Sequence, residues 1–319
     1  MELGMIGLGR MGANMAQRLV HGKHRVVGYD PDQAVRKSVE SKGIEPVASL
    51  DALVGKLKGP RVLWLMVPAG EVVDKTIEAL LPHLAAGDTL IDGGNSNFKD
   101  TQRRAKALAE KQIAYVDCGT SGGVWGLAEG YSMMVGGDEA VVEKLRPIFE
   151  TLAPAKDQGW GRVGPAGSGH YTKMIHNGIE YGMMQAYAEG FSILKHKAEF
   201  ELNLHQVAEI WRTGSVVRSW LLDLTADALG KNPAMKGIAP YVVDSGEGRW
   251  TVDEAIALDV PAPVITLSLI ERLRSRDTES FSDKLLSAMR NEFGGHVESH
   301  PAPSSSNPPS SANKIGKHS

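Results

Sequence analysis

Gly7-Leu8-Gly9-Arg10-Met11-Gly12 decides how the first half of this chain is read. Residues 2–7 (ELGMIG) form a short apolar run that reads as a buried strand, and the residues after the glycines are helical to Leu19. A second strand over 25–29 ends in Asp30, eighteen residues after Gly12. Strand, glycine turn, helix, strand and acid together make the context that a dinucleotide-binding fingerprint requires. Gly7 allows the tight turn, Gly9 lets a pyrophosphate approach the backbone, and Gly12 lets helix and strand pack closely. The pyrophosphate is expected on the turn Leu8, Gly9, Arg10 and Met11, at a helix N-terminus whose dipole favours an anion. Asp30 is placed to accept hydrogen bonds from a ribose 2′-hydroxyl, which points to NAD rather than NADP. A 2′-phosphate there meets like charge, and no arginine follows until Arg36.

Outward from this unit the alternation continues. Strand-like runs at 44–48, 62–67, 89–92 and 113–117 are separated by helical segments near 50–57, 71–81 and 100–110. That βαβ rhythm predicts a doubly wound, mostly parallel sheet with helices on both faces, a Rossmann domain over residues 1–164. Ligands of such sheets gather at the carboxyl ends of the strands. Three loops fall there: Val67-Pro68-Ala69-Gly70, Asp92-Gly93-Gly94-Asn95-Ser96 and Gly119-Thr120-Ser121-Gly122-Gly123. Each alone reads as a turn; three at successive strand ends point to a site. Val67, Pro68 and Ala69 are candidates for cofactor contact and Asn95 for bridging cofactor and substrate. Ser121, Gly122 and Gly123 can offer a hydroxyl and bare amides to a carboxylate.

From Ser168 the strand signals stop, which predicts an all-α second domain over 165–296 followed by a low-complexity tail, 297–319, too poor in apolar residues to fold. The first helix of that domain, within GSGHYTKMIHNGIEYG (167–182) and running to about His196, holds Lys173, His176, Asn177 and Glu180 among apolar neighbours. At about 100° per residue Lys173 and Glu180 fall within roughly 20° of each other with the other two between them, so all four share one face. The alternatives are a solvated polar stripe and an acid–base site. The glycine-rich start and the apolar neighbours Met174, Ile175, Ile179, Met183 and Met184, expected to bury most of the helix, favour the site.

Composition excludes several classes. The chain has 319 residues, a net charge of −3 and scattered basic residues, which gives no indication of nucleic-acid binding. Its longest apolar stretch, residues 62–70, is too short to span a bilayer, and a strand starting at Leu3 leaves no room for a signal peptide. The single cysteine, Cys118, excludes an internal disulfide, fits a cytoplasmic protein and reads as a small buried hydrophobe. The ten histidines lack metal-ligand spacing, so no metal is expected.

Ile91-Asp92-Gly93-Gly94-Asn95-Ser96, Ser121-Gly122-Gly123 and Lys173-Met174-Ile175-His176-Asn177-Gly178-Ile179-Glu180-Tyr181-Gly182 together resemble decarboxylating 6-phosphogluconate dehydrogenase, in its short, NAD-linked form within the β-hydroxyacid dehydrogenase superfamily. The resemblance spans about residues 1–296. The wider superfamily shares the Lys173-x3-Asn177 spacing but not generally His176 or Ile179-Glu180-Tyr181. The resemblance implies oxidative decarboxylation of 6-phosphogluconate to ribulose 5-phosphate, with Lys173 as general base and Glu180 as general acid. It also implies that Asn95, Ser121, Gly122, Gly123, His176, Asn177 and Tyr181 meet the substrate, although Tyr181 reads equally well as a satisfied core residue. For the phosphate end it points to Arg272, eleven residues after Pro261, and to Arg290 and His296, which in the family enter the partner subunit's site of a homodimer or homotetramer. The family's lysine-bearing stretch before a Trp-Thr pair corresponds to Asp244-Ser245-Gly246-Glu247-Gly248-Arg249-Trp250-Thr251, which lacks that lysine. Arg249 is then either its replacement or a surface arginine. Two rival readings are a dehydrogenase for a short non-phosphorylated 3-hydroxy acid and a non-catalytic NAD-binding module. The pairing of Lys173 with Glu180 argues against the second.

Overall fold

A computed structural model describes residues 1–294 of the chain. The element order is β1 (Glu2–Ile6), α1 (Arg10–His21), β2 (Arg25–Tyr29), α2 (Gln33–Glu40), β3 (Glu45–Val47), α3 (Leu50–Gly55), β4 (Val62–Leu65), α4 (Glu71–Leu80), β5 (Thr89–Asp92) and α5 (Phe98–Ala109). Then follow β6 (Ala114–Ser121), α6 (Gly126–Glu129), β7 (Ser132–Gly136), α7 (Glu139–Leu152) and β8 (Trp160–Gly164). The remainder is helical: α8 (Ser168–His196), α9 (Leu204–Arg212), α10 (Trp220–Lys231), α11 (Glu247–Ala257), α12 (Pro263–Arg274) and α13 (Phe281–Gly294).

The strands form one sheet in the order β3-β2-β1-β4-β5-β6-β7-β8. All pairs are parallel except β6 with β7. This is a Rossmann-type doubly wound sheet followed by a helical unit. Successive strand residues feed opposite faces. Leu63 and Leu65 join the cluster under α3 and α4, while Trp64 joins the one under α1 and α7. Burial on both faces is why these strands read as unbroken apolar runs.

Three features depart from the sequence reading. β7 and β8 extend the sheet beyond the strands expected, and β7 runs antiparallel to β6. Gly119, Thr120 and Ser121 belong to β6 rather than to a loop, which begins at Gly122. Along α8, Met174 is buried, but Ile179, Met183 and Met184 are exposed rather than buried, because Ile179 and Met183 border an open cleft and Met184 meets only the tip of the Arg272 side chain, at 3.5 Å, among the contacts of the described residues.

Two contacts set the position of α8. The buried Asp117 of β6 accepts the backbone N–H groups of Gly167 at 2.7 Å and His170 at 2.8 Å, so a carboxylate from the sheet caps the helix. Farther along, the buried Thr251 on α11 donates its hydroxyl to the Met174 carbonyl at 2.9 Å, which binds the helical unit to the same helix.

Candidate active site

The carboxyl ends of β4, β5 and β6, the middle of α8 and parts of α10 and α11 enclose a cleft of about 1160 Å³. That exceeds the ~300–1,000 Å³ of a typical single-ligand site. Lys173, His176, Asn177 and Glu180 form one wall, as the helical spacing predicts, and Asn95, Ser121, Gly122 and Gly123 stand on the sheet side of the same cleft.

Lys173 is 8% exposed. Burial pushes its ammonium pKa below the ordinary lysine value, while the charges of Glu180 and Glu247 pull it back up. Its Nζ lies 3.4 Å from His176 Nδ1, and the same Nδ1 lies 3.0 Å from Asn177 Oδ1 and 3.9 Å from Glu180 Oε2. An Nδ1 that donates to Asn177 cannot accept from the lysine, so those two contacts are alternatives governed by where the imidazole carries its proton. A base, an imidazole, an amide and an acid therefore form one connected polar row along the cleft.

The nucleotide side fits a dinucleotide. Gly12 packs so closely on the glycine turn that a Cβ there would lie 2.0 Å from the Gly7 carbonyl, whereas a Cβ at Gly9 would meet nothing within 4 Å. The N-terminus of α1 thus has an open approach at Gly9 and Arg10, both exposed, and no acidic residue in its first turn. Met11 lines the cleft. Asp30 holds the turn directly, with Oδ2 accepting from the Leu8 amide at 2.8 Å and Oδ1 from Asp32 N at 2.9 Å. A carboxylate has about four lone-pair sites, so it can still accept from a ribose hydroxyl. Val67 lies against Gly7, and Pro68 and Ala69 follow it, exposed.

The anchor for these loops is the buried Arg104 of α5, which donates to Asp74 at 2.9 Å and to the Gly70 carbonyl at 3.0 Å. Beside it the buried Asp92 accepts from Tyr115 Oη and Ser96 Oγ, fixing the turn that carries Asn95.

Other expected residues lie off this wall. Tyr181 is buried; its hydroxyl accepts from Ser245 N at 3.0 Å, and the Arg272 guanidinium stacks 3.6 Å from its ring centre. Arg272 also donates to the Val243 carbonyl at 2.9 Å. Arg249 pairs with Asp244 at 3.1 Å, and this arginine holds the Asp244 carboxyl down to about 2. Arg290 is exposed on α13, and His296 lies outside the described residues. Cys118 is fully buried and its thiol is pushed up to about 12 by burial, which suits a core residue. Among the described residues no group of three His, Cys, Asp or Glu side chains is arranged to hold a metal ion, and no helix is long and apolar enough to cross a membrane.

Glu247, a buried acid that α11 adds to the cleft lining, was not singled out from sequence. The available signal was an acid set between two glycines, Gly246 and Gly248, in the segment that had lost the family lysine.

Comparison with known proteins bears directly on this site. The family model for the NAD binding domain of 6-phosphogluconate dehydrogenase matches residues 2–161, and that for the 6-phosphogluconate dehydrogenase C-terminal domain matches residues 169–291. The chain is 44% identical over 297 residues to the NAD(+)-dependent, decarboxylating 6-phosphogluconate dehydrogenase of Haloferax volcanii, covering 93% of this chain and 98% of that protein. It is 40% identical over 288 residues to the NADP(+)-dependent, decarboxylating enzyme of Bacillus subtilis, covering 86% of this chain and 61% of that longer protein. Among solved structures, 6-phosphogluconate dehydrogenase of Plasmodium falciparum superposes with a TM-score of 0.81 at 29% identity, covering 95% of this chain and 67% of that one.

Proposed function

The chain belongs to the 6-phosphogluconate dehydrogenase family, and from that premise we propose that its cleft oxidises and decarboxylates 6-phosphogluconate to ribulose 5-phosphate and CO2 with NAD. The observation that carries this reading is the placement of a nearly buried lysine and a carboxylate on one face of α8, beside a glycine turn open to a dinucleotide. NAD, when bound by the Gly7–Gly12 turn and Asp30, supplies the hydride acceptor. The chain's own residues manage the protons. Lys173, its ammonium form disfavoured by burial, takes the proton of the 3-hydroxyl. After CO2 leaves, Glu180 delivers a proton to C1 of the enediol. His176 and Asn177, between them in the row, hold the substrate hydroxyls and keep the amine aimed at C3. Ser121 and the Gly122 and Gly123 amides receive the carboxylate.

NAD is the preferred cofactor in this reading because of Asp30, although relatives of both preferences occur. Assembly into a homodimer or homotetramer is supported by the exposed apolar side chains Phe281, Leu285 and Met289 on one face of α13. A cytoplasmic setting suits the single buried free thiol.

The test is an assay of purified protein with 6-phosphogluconate and either NAD or NADP, following reduced cofactor and CO2 together. Stoichiometric release of both is expected. Turnover of 3-hydroxyisobutyrate without turnover of 6-phosphogluconate would overturn the proposal.

A further inference from the structure

The first turn of α11 carries an acid that this chemistry leaves without a task. Glu247 is 3% exposed, yet it contributes to the cleft wall beside α8. Its Oε2 accepts the Ser245 hydroxyl. Its Oε1 is buried and has no donor among the described residues. Leaving a buried acceptor unpaired is costly, so such an atom at a cleft wall marks where a donor arrives with a ligand. The terminal torsion of a glutamate is soft, so a small turn presents that oxygen to the cleft.

Its position relative to the base is well defined. The Thr251–Met174 hydrogen bond holds α11 against the turn of α8 that carries Lys173, and Glu247 lies close enough for its charge to act on that lysine. A carboxylate accepts only, so its partner is a donor, and the substrate class in question offers several hydroxyls beyond the one oxidised.

We propose that Glu247 is a specificity-determining residue whose free carboxylate oxygen accepts a hydrogen bond from a further hydroxyl of the substrate, selecting polyhydroxylated acids over short 3-hydroxy acids. The proposal rests on the function assigned above. A site built to hydrogen-bond a hydroxyl rejects an analogue lacking it, because its own polar group is then left unpaired.

Two variants test it. Glu247→Ala removes charge and acceptor; Glu247→Gln removes the charge and keeps an acceptor oxygen. Glu247→Ala should raise KM for 6-phosphogluconate at least about tenfold, the scale of a hydrogen bond to a charged group, with KM for NAD within about twofold. Glu247→Gln should raise it less. A change in KM for NAD as well would mark general damage in the alanine variant, and the glutamine variant then decides.

The second readout is the pH dependence of Lys173 acylation by acetic anhydride, followed by mass spectrometry. The titratable groups around that amine are His176 and Glu180 on α8 and Glu247 on α11, with Tyr171 of α8 in the same cleft lining. From β6, β7 and α10 the wall receives Thr120, Ser121, Met134, Ser219, Trp220 and leucines, and Asp117 is engaged by the start of α8. Losing the Glu247 charge should move the acylation inflection to lower pH, which a purely structural role would not do. An unmoved inflection, or KM for 6-phosphogluconate unchanged in both variants, overturns this inference alone. A wild-type protein inert toward 6-phosphogluconate overturns the parent reading and this one with it.

Discussion

Gly119 on β6 lies directly beneath Lys173: a methyl added at Gly119 would sit 2.4 Å from Lys173 Cβ and 2.8 Å from the Gly169 carbonyl. The lysine can stand over the sheet edge only because this position has no side chain. Gly119→Ala must therefore push α8 away from β6 at the turn that carries the base. Overpacking of this kind costs about 1–3 kcal/mol of stability. A displacement near 1 Å at a reacting group costs about 10² in rate. The expected result is a kcat lowered about a hundredfold with NAD affinity retained, since the glycine turn lies elsewhere on the sheet. Wild-type kcat in Gly119→Ala would show that the Lys173 position is not critical.

The two ends of the polar row should separate by mutation. On the proposed mechanism Lys173→Met removes the base and should abolish oxidation. Glu180→Gln should keep cofactor binding and slow turnover by about 10²–10⁴, the usual share of a general acid. Stability adds a second reading. Burial lowers the Lys173 pKa from 10.5, so between the folded value and 10.5 the unfolded chain holds a proton that the folded one lacks. Wild-type stability therefore rises with pH through that window, and below it the full penalty of the buried ammonium is present. Lys173→Met escapes that penalty. It should unfold at higher urea than wild type near neutral pH, with the advantage shrinking as pH approaches 10.5. Lower stability at neutral pH would contradict the buried-cation account.

How much of this could be read beforehand follows the range of the interactions involved. The glycine turn, Asp30 and the polar face of α8 were legible because each depends on spacing within one element or its neighbour. β7 and β8 were not, because Ser132–Gly136 and Trp160–Gly164 are short, and the strand direction depends on how β7 pairs with β6. Asp117 reads as one more strand residue until its carboxylate is seen capping a helix fifty residues on. Glu247 needed the fold for the same reason, since Thr251 and Ser245 bring its turn against α8 and Tyr181. The misread apolar side chains of α8 have the opposite cause. Ile179 and Met183 are apolar because they border the cleft, not because they pack in a core.

Cofactor choice turns on Asp30. Both of its oxygens already accept backbone N–H groups, from Leu8 and Asp32, which holds its negative charge at the end of β2. Arg36, the first arginine after Asp30 in the sequence, donates to the carbonyls of Asp30 and Pro31 at 2.7 and 2.9 Å. The expectation is NAD over NADP by at least about tenfold in kcat/KM, or roughly 1.4 kcal/mol. Steady-state kinetics with both cofactors at saturating substrate decides it, and a preference for NADP would refute this role for Asp30.

The last prediction concerns the source of the phosphate clamp. The arginines near the cleft are engaged within the chain: Arg249 with Asp244, and Arg272 with the Tyr181 ring and the Val243 carbonyl. The family resemblance assigns the clamp to Arg290 and His296 of a neighbouring subunit, and α13, which carries Arg290, presents Phe281, Leu285 and Met289 as an exposed apolar face suited to docking. An arginine at the end of such a helix can hold a phosphate bidentately. Lys173→Ala and His296→Ala should each impair the homo-oligomer severely. In a mixed dimer with shared sites, one pocket carries both defects while the other has an intact lysine and an intact clamp. Co-expressing the two variants should then restore activity to about half that of wild type in each mixed dimer. If each residue serves its own chain, every pocket stays defective and the mixture is no better than its parts. Activity that stays at the level of the parents, with mixed dimers verified by mass spectrometry, would rule out the shared site.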